Sequence, residues 1–281
     1  MDGKVVVITG ATSGIGQVAA ERIAGIGARL VLVARDRARA EATLARLPAR
    51  GPGLAHRVHY ADLSSMAECR RVAAEIAAAE PRVDVLINNA GAMFGARRVT
   101  PEGLELTFAL NHMAYFLLTH GLRERLLAAA PARVINTASA AHRRGGPLDF
   151  DDLQSGRGYR GFPAYGRSKL CNILYTRELA RRLAGTGVTA NSLHPGFVAT
   201  RFGDQSGGVF SYVVRVAKLV GAISPEKGAE TLVYLAASPE VATISGGYFY
   251  KCELARPSRA AQDDAAARRL WDVTAQLAGI S

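Results

Sequence analysis

Tyr165 and Lys169 stand four residues apart in Tyr165-Gly166-Arg167-Ser168-Lys169, a spacing that stacks a phenol and an ammonium one turn apart on one face of a helix. A tyrosine with its ordinary pKa of about 10 is a poor base at neutral pH. A neighbouring cation favours the phenolate, and Lys169 is the residue placed to supply one. Ser139, just past an apolar run at 133–137, offers a hydroxyl that can hydrogen-bond the oxygen of a substrate carbonyl. Asn111, in a helical stretch beside the same place, can hold a water linking Lys169 to solvent. The four side chains suit proton transfer at a carbonyl or alcohol oxygen. A Tyr-x-x-x-Lys pair alone is common and usually structural, so its weight depends on what accompanies it.

What accompanies it is a glycine loop, Thr9-Gly10-Ala11-Thr12-Ser13-Gly14-Ile15-Gly16, between a first apolar run and a helical stretch. Gly10 permits the tight turn, Gly14 lets a pyrophosphate approach the backbone, and Gly16 lets the helix sit close to the strand. The helix start adds free N–H groups and a favourable dipole for phosphates. A dinucleotide is therefore expected here. The second apolar run ends Val33-Ala34-Arg35-Asp36. Ala34 stands where an acid would select NAD through its ribose hydroxyls, whereas Arg35 suits the 2′-phosphate of NADP. NADP is the expected cofactor. Asp36 is either the N-cap of the next helix or the residue through which NAD could be held.

The elements that must position these residues are legible as short β-branched runs at 5–9, 30–34, 58–60, 83–88, 133–137, 188–194 and 248–251, separated by stretches of helical period. That alternation predicts an α/β fold with a doubly wound parallel sheet of about seven strands. The strands are apolar at consecutive positions, as a sheet covered on both faces requires. One domain spanning 1–281 is expected, with 1–140 mainly binding the dinucleotide and 141–281 mainly supplying catalysis and substrate contacts. Two irregular stretches, 143–162 and 201–224, follow the C-terminal ends of strands, where such sheets bind ligands. Within the second, 209–222 is amphipathic and reads as a substrate lid.

On these motifs the chain resembles the short-chain dehydrogenase/reductases over essentially its whole length, and so a Rossmann-type sheet. The matching stretches are Thr9 to Gly16, Asn88-Asn89-Ala90-Gly91, Asn111, Ser139, Tyr165 to Lys169, and Pro195-Gly196 with Thr200. The resemblance implies that Tyr165 is the general acid/base. Lys169 would lower its pKa and bind the nicotinamide ribose, Ser139 orient the carbonyl, and Asn111 complete the proton relay. It also implies that Asp62 and Leu63 meet the adenine, that Asn88, Ala90 and Gly91 line the adenosine ribose, and that Thr200 meets the carboxamide. Asn111 to Phe116, Asp151-Asp152-Leu153, Ser168 to Asn172 and His194-Pro195-Gly196 are most similar to the retinol dehydrogenase-like branch. The expected activity is NADP-dependent hydride exchange with a carbonyl or alcohol of a fairly apolar small molecule, such as a retinal-like aldehyde, another aldehyde, a ketone or a quinone. The alternative is a catalytically silent NADP-binding sensor or scaffold, against which the intact set of Asn111, Ser139, Tyr165 and Lys169 argues.

Composition removes other classes. The 281 residues are 49% hydrophobic and 21% charged, outside the range of disordered or fibrous chains. The formal charge of +11 comes from basic residues spread along many segments rather than gathered in one run, so no nucleic-acid partner is expected. Cys69, Cys171 and Cys252 form no Cys-x-x-Cys pair, and His56 and His59 lack a completing ligand, so neither disulfides nor a metal are expected. The chain opens directly on its first strand. No secretory signal or transmembrane anchor is expected, and the cysteine usage fits an expected cytoplasmic location. Stretches 106–130 and 165–183 are apolar on more than one side, which suggests pairing into a homo-oligomer, unless 143–162 covers that surface and leaves a monomer. His142-Arg143-Arg144 reads as a solvated loop rather than a grip on an acidic substrate.

Overall fold

Each of the seven apolar runs forms a strand in the computed structural model, which describes residues 1–48, 55–197 and 223–280. They are β1 (Val5–Thr9), β2 (Arg29–Ala34), β3 (Arg57–Tyr60), β4 (Val85–Asn88), β5 (Ala132–Thr137), β6 (Val188–Leu193) and β7 (Tyr248–Tyr250). Every residue of β1, β2 and β4 is buried, which is why these strands carry no polar alternation. An eighth strand, β8 (Glu253–Leu254), was not expected. It pairs antiparallel with β7 through a two-residue turn in which Lys251 and Cys252 both take positive φ, 52° and 64°. Such turns normally announce themselves with Asn or Gly, and this one does not.

The strands form one sheet in the order β3-β2-β1-β4-β5-β6-β7-β8, and all pairs but the last are parallel. This is the doubly wound Rossmann-type arrangement. Its strand order reverses between β1 and β4, so the loops leaving those two strands diverge and open a crevice at the C-terminal edge. The glycine loop leaves β1 and Asn89-Ala90-Gly91 leaves β4. The fold thus sets the two stretches side by side.

Helices α1 (Gly14–Gly25), α2 (Arg37–Leu44), α3 (Met66–Ala79), α4 (Leu106–Phe108), α5 (Ala114–Gly121), α6 (Arg123–Ala128), α7 (Gly161–Arg182), α8 (Pro225–Ala237) and α9 (Asp264–Leu277) cover the faces. A π-helical turn, Ala109–Met113, joins α4 to α5. One core packs Ile23 of α1 and Leu232 of α8 against Ile8, Leu32 and Ile87. The other gathers Phe116, Leu118, Tyr175 and Leu174 against Val7, Leu86 and Val134.

The chain itself accounts for the apolar sides of 106–130 and 165–183. Fourteen residues of α7 are buried, and α9 lies over it. Trp271 stacks on Tyr175 at 5.7 Å and meets Phe116 edge-on at 5.1 Å, contacts of roughly 0.5–1.5 kcal/mol each beyond area burial. Arg182 lies over the Trp271 ring at 4.3 Å, and Arg177 pairs with Asp264 at 2.7 Å. The second apolar side of these helices therefore meets α9 of the same chain and does not by itself call for a second copy. Among the described residues no helix is long and apolar enough to cross a membrane.

Candidate active site

The glycine loop is built by close approach. Gly10 and Gly14 take φ of 67° and 55°, conformations that favour glycine. A Cβ on Gly10 would stand 2.8 Å from the Ala90 Cα, and one on Gly16 would stand 2.2 Å from the Gly10 carbonyl oxygen. Asn89 clamps the loop: its amide donates to the carbonyls of Thr9 and Gly10, each at 3.2 Å, and its Oδ1 accepts from the Thr137 hydroxyl at 3.2 Å. Thr9 Oγ1 accepts from the backbone of both Asn89 and Ala90 at 2.9 Å. Ser13 is the exposed N-cap of α1, yet its hydroxyl makes no capping bond and the first turn holds no acid. By contrast Asp36, Ser65, Ser224 and Asp263 cap α2, α3, α8 and α9 with their side chains. Helix α1 thus leaves its N–H groups and dipole to a ligand, with half-buried Thr12 and Ile15 beside them. A glycine turn opening on an uncapped helix start fits a pyrophosphate.

At the end of β2 the polar groups divide. Asp36 accepts from the Arg39 backbone at 3.0 Å as the N-cap of α2 and pairs with the Arg39 guanidinium at 3.4 Å. Arg35 is exposed, and its guanidinium reaches only to 4.0 Å from Asp62. Asp62 accepts from the Ser64 backbone and hydroxyl at 3.0 and 2.8 Å. Leu63 turns its side chain into the core. Asn88 does likewise: its buried amide donates to Asn136 at 2.9 Å and Thr119 at 3.1 Å, so only its backbone can line the crevice.

The catalytic candidates converge at the C-terminal ends of β4 and β5. Ser139 is half-buried at the start of a short 3-10 turn (Ala140–Arg144), where its Oγ accepts from the Ala141 backbone at 3.1 Å. Its side chain also hydrogen-bonds the Tyr165 phenol. Lys169, 2% exposed, donates from Nζ to the Thr137 carbonyl at 2.9 Å and lies 5.8 Å from the Tyr165 ring centre. Gly91 leaves the space beside Asn111 and Lys169 open, since a Cβ there would stand 3.1 Å from Asn111 Oδ1 and 3.2 Å from Lys169 Nζ. Asn111 sits in the π turn, a form of helix often found at functional sites. Its Oδ1 accepts from the Ala92 backbone, and its Nδ2 donates to the Ala92 carbonyl and the Ser168 hydroxyl, all at 2.9 Å. Both amide protons are spent, so the side chain keeps one free lone pair for a water.

Burial changes the expected proton balance. It pushes the Tyr165 phenol up to about 12, opposed by the hydrogen bond from Ser139, and it pushes the Lys169 ammonium down to about 7. The expectation that Lys169 draws the phenol's pKa down thus meets a stronger opposing effect, because a desolvated lysine sheds the charge that would do it. The hydrogen bond with Ser139 favours the phenolate but does not overcome burial.

The remaining expected residues fall into place unevenly. Pro195 and Gly196 leave β6, with Gly196 at φ 89° and its N–H donating to His194 Nδ1 at 3.2 Å. Thr200 and the stretch 209–222 read as a lid lie outside the described residues. The stretch 143–162 is fastened beside α7: Arg167 donates to Ser155 Oγ at 2.6 Å, Gln154 Oε1 accepts from the Glu105 backbone at 2.7 Å, and Tyr159 donates to the Phe94 carbonyl at 2.9 Å. Arg143 and Arg144 are exposed there, but His142 is buried, unlike a residue of a solvated loop. Asn89, Thr137 and Ser168 hydrogen-bond the site residues, and motif reading gave none of them a part. Asn89 and Ser168 lay inside the quoted motifs, yet the direction of a side chain is invisible there.

This crevice, phosphate cradle at one end and phenol, hydroxyl and amine at the other, agrees with the comparisons. The family model for short chain dehydrogenase matches residues 4–207. Retinol dehydrogenase 14 of Homo sapiens is 40% identical over 299 residues, covering 100% of this chain and 88% of that protein. Among solved structures, the Pseudomonas aeruginosa RhlG/NADP active-site complex aligns with a TM-score of 0.70 at 30% identity, over 89% of this chain and 94% of the other. The 3-ketoacyl-(acyl-carrier-protein) reductase from Brucella melitensis complexed with NADH aligns with a TM-score of 0.68 at 25% identity, over 88% and 96%. The chain belongs to the short-chain dehydrogenase family and is retinol dehydrogenase-like. It is an oxidoreductase whose fold takes a nicotinamide cofactor and a small-molecule substrate.

Proposed function

We propose that the protein uses NADP to reduce a carbonyl, or oxidise the matching alcohol, on a fairly apolar small molecule. The observation that carries this reading is the meeting of Ser139, Tyr165 and Lys169 beside Gly91, at the open end of the phosphate cradle. When bound, the nicotinamide supplies or accepts the hydride. The chain's own residues handle the oxygen. Ser139 Oγ hydrogen-bonds the substrate oxygen, and the Tyr165 phenol, held high in pKa, donates a proton to it during reduction. Lys169, poised near neutrality, replenishes that proton and holds the ribose. Asn111 keeps the Ala92 segment and α7 in register beside them.

NADP is favoured because Asp36 is engaged as a helix cap while Arg35 stands free of a close partner other than Asp62. Solved neighbours hold either form, so the choice rests on these residues. An apolar substrate is supported by Phe162 and Phe197, exposed rings in the segments leading from the site, and by the retinol dehydrogenase relatives. A panel of aldehydes, ketones, quinones and retinal, followed by NADPH absorbance, tests the reading. Consumption of NADPH with at least one is expected. Tight cofactor binding with no turnover on any of them, with NADPH or NADH, would mark a cofactor-binding sensor instead.

A further inference from the structure

Ser139 can aim its hydroxyl only if the turn carrying it is held, and that turn has an anchor which the proton chemistry does not use. His142 is 1% exposed. Its Nδ1 lies 2.7 Å from the Ser139 carbonyl oxygen, and its Nε2 lies 3.0 Å from the Ser258 backbone nitrogen. The partners decide the state of the ring. A carbonyl can only accept and a backbone N–H can only donate, so Nδ1 carries the proton and Nε2 is bare. The imidazole packs edge-on against Tyr248 at 5.3 Å, and Tyr248 stacks on His194 at 5.6 Å. Arg143 adds a hydrogen bond to the Arg256 carbonyl at 2.6 Å. The turn after β5 is thus bolted to the segment that follows β8 at the sheet's edge. Burial, helped by the charge of Arg143, holds His142 below its ordinary pKa, in keeping with the neutral ring the two bonds demand.

We propose that His142 is a positioning residue: its neutral ring, clamped between the Ser139 carbonyl and the Ser258 amide, fixes the Ser139 hydroxyl against the Tyr165 phenol. The inference rests on the oxidoreductase reading above and adds how its serine is aimed. Because Ser139 Oγ also accepts from Ala141 within the same turn, a shift of the turn moves the hydroxyl with it.

Two substitutions break the clamp from its two ends. His142→Phe keeps a ring against Tyr248 and removes both bonds. Ser258→Pro removes the amide donor at a residue whose φ of −63° already suits proline, and it sets the ring Cδ where the N–H met His142 Nε2, so the imidazole must also move away from this end of the clamp. Each should lower kcat by roughly ten- to a hundredfold, the scale of a small misplacement of a reacting group, while the NADP Kd stays within about twofold. In a Ser139→Ala chain neither change should lower the remaining kcat further, since the group they act through is gone. The Ser139 hydrogen bond holds the phenol's pKa down, so the Tyr165 limb of the pH–rate profile should move to higher pH in both variants, as in Ser139→Ala. An unchanged kcat, or the same loss with and without Ser139, overturns the positioning role and leaves the oxidoreductase reading intact. Full turnover in a Tyr165→Phe control overturns Tyr165 as the proton donor that Ser139 serves, and the inference with it, while the oxidoreductase activity stands. Ser258→Pro carries the test if His142→Phe fails to fold.

Discussion

The corner where Arg35 faces Asp62 and the lip where Ser139 faces Tyr165 lie along the same edge of one sheet, yet water reaches them very differently. The Arg35 side chain is 66% exposed and Asp62 46%. Tyr165 is 7% exposed and Lys169 2%. In the first place a charge is stable whatever its neighbours, so residue type alone indicates what would bind there. In the second, desolvation outweighs the neighbouring group, and a tyrosine and a lysine sit at about 12 and about 7. Chemistry is concentrated where charge is expensive, and recognition where it is cheap.

The largest effect is expected at the buried lip. Tyr165→Phe keeps the ring and removes the proposed proton donor, so kcat should fall by about 10²- to 10⁴-fold with the NADP Kd little changed. Fluorescence titration and steady-state rates on the same preparation check both halves. Near-normal turnover would falsify the proton-donor role.

Lys169 sharpens the contrast because activity and stability should move in opposite directions. Its folded pKa of about 7 lies below the ordinary 10.5. Between those values the unfolded chain binds a proton that the folded site does not, so Lys169 costs folding stability progressively as pH falls through that window. Lys169→Met should abolish most turnover yet stabilise the fold at pH 7, by on the order of 2 to 4 kcal/mol after the lost hydrogen bond is deducted. The Thr137 carbonyl keeps a donor in Asn172 Nδ2 at 3.2 Å, so no acceptor is orphaned. Urea unfolding at pH 7 and pH 10 should show the gain shrinking at the higher pH. A loss of stability at both would mean that the amine is not desolvated as described.

Gly16 lies between the two extremes, where neither charge nor proton is involved. A methyl at this position meets the Gly10 carbonyl and the Asn89 amide at 2.2 and 2.5 Å, so the loop must shift. Gly16→Ala should cost about 1 to 3 kcal/mol of stability and weaken both cofactors alike. A selective loss of NADP alone would show that the loop reads the 2′-phosphate, contrary to the division drawn here.

How far the sequence showed all this follows the same line. The parallel strands were legible because burial on both faces leaves continuous apolar runs, and the motifs were legible because the glycine loop and the Tyr165–Lys169 pair occur together in one chain. What stayed hidden was direction and long-range cover. Asn88 and Asn89 are adjacent and alike, but the first turns to Asn136 in the core and the second to the phosphate loop. That the ring of Trp271 from α9 lies against Phe116 of α5 and Tyr175 of α7 could not be read from their apolar sides. The hairpin into β8 turns through Lys251 and Cys252, residues that carry no turn signal.

The smallest effect is expected at Arg35, and its size is itself diagnostic. A charge-assisted contact to a phosphate is worth about 1.5 to 3 kcal/mol, but an exposed guanidinium keeps much of its hydration and is screened by salt, which argues for the lower end. Arg35→Ala should therefore weaken NADP by roughly tenfold and leave NAD nearly untouched. Because the site is wet, the NADP preference of the unaltered chain should shrink as ionic strength rises, whereas the proton chemistry at buried Tyr165 should not respond. Ala34→Asp with Arg35→Ala should reverse the preference, since the new carboxylate accepts from ribose hydroxyls and repels the phosphate. Paired titrations of both cofactors at two salt concentrations measure each point. If the unaltered chain holds NAD as tightly as NADP at low salt, Arg35 is only a surface charge, and Asp36 must leave its helix cap to serve the ribose.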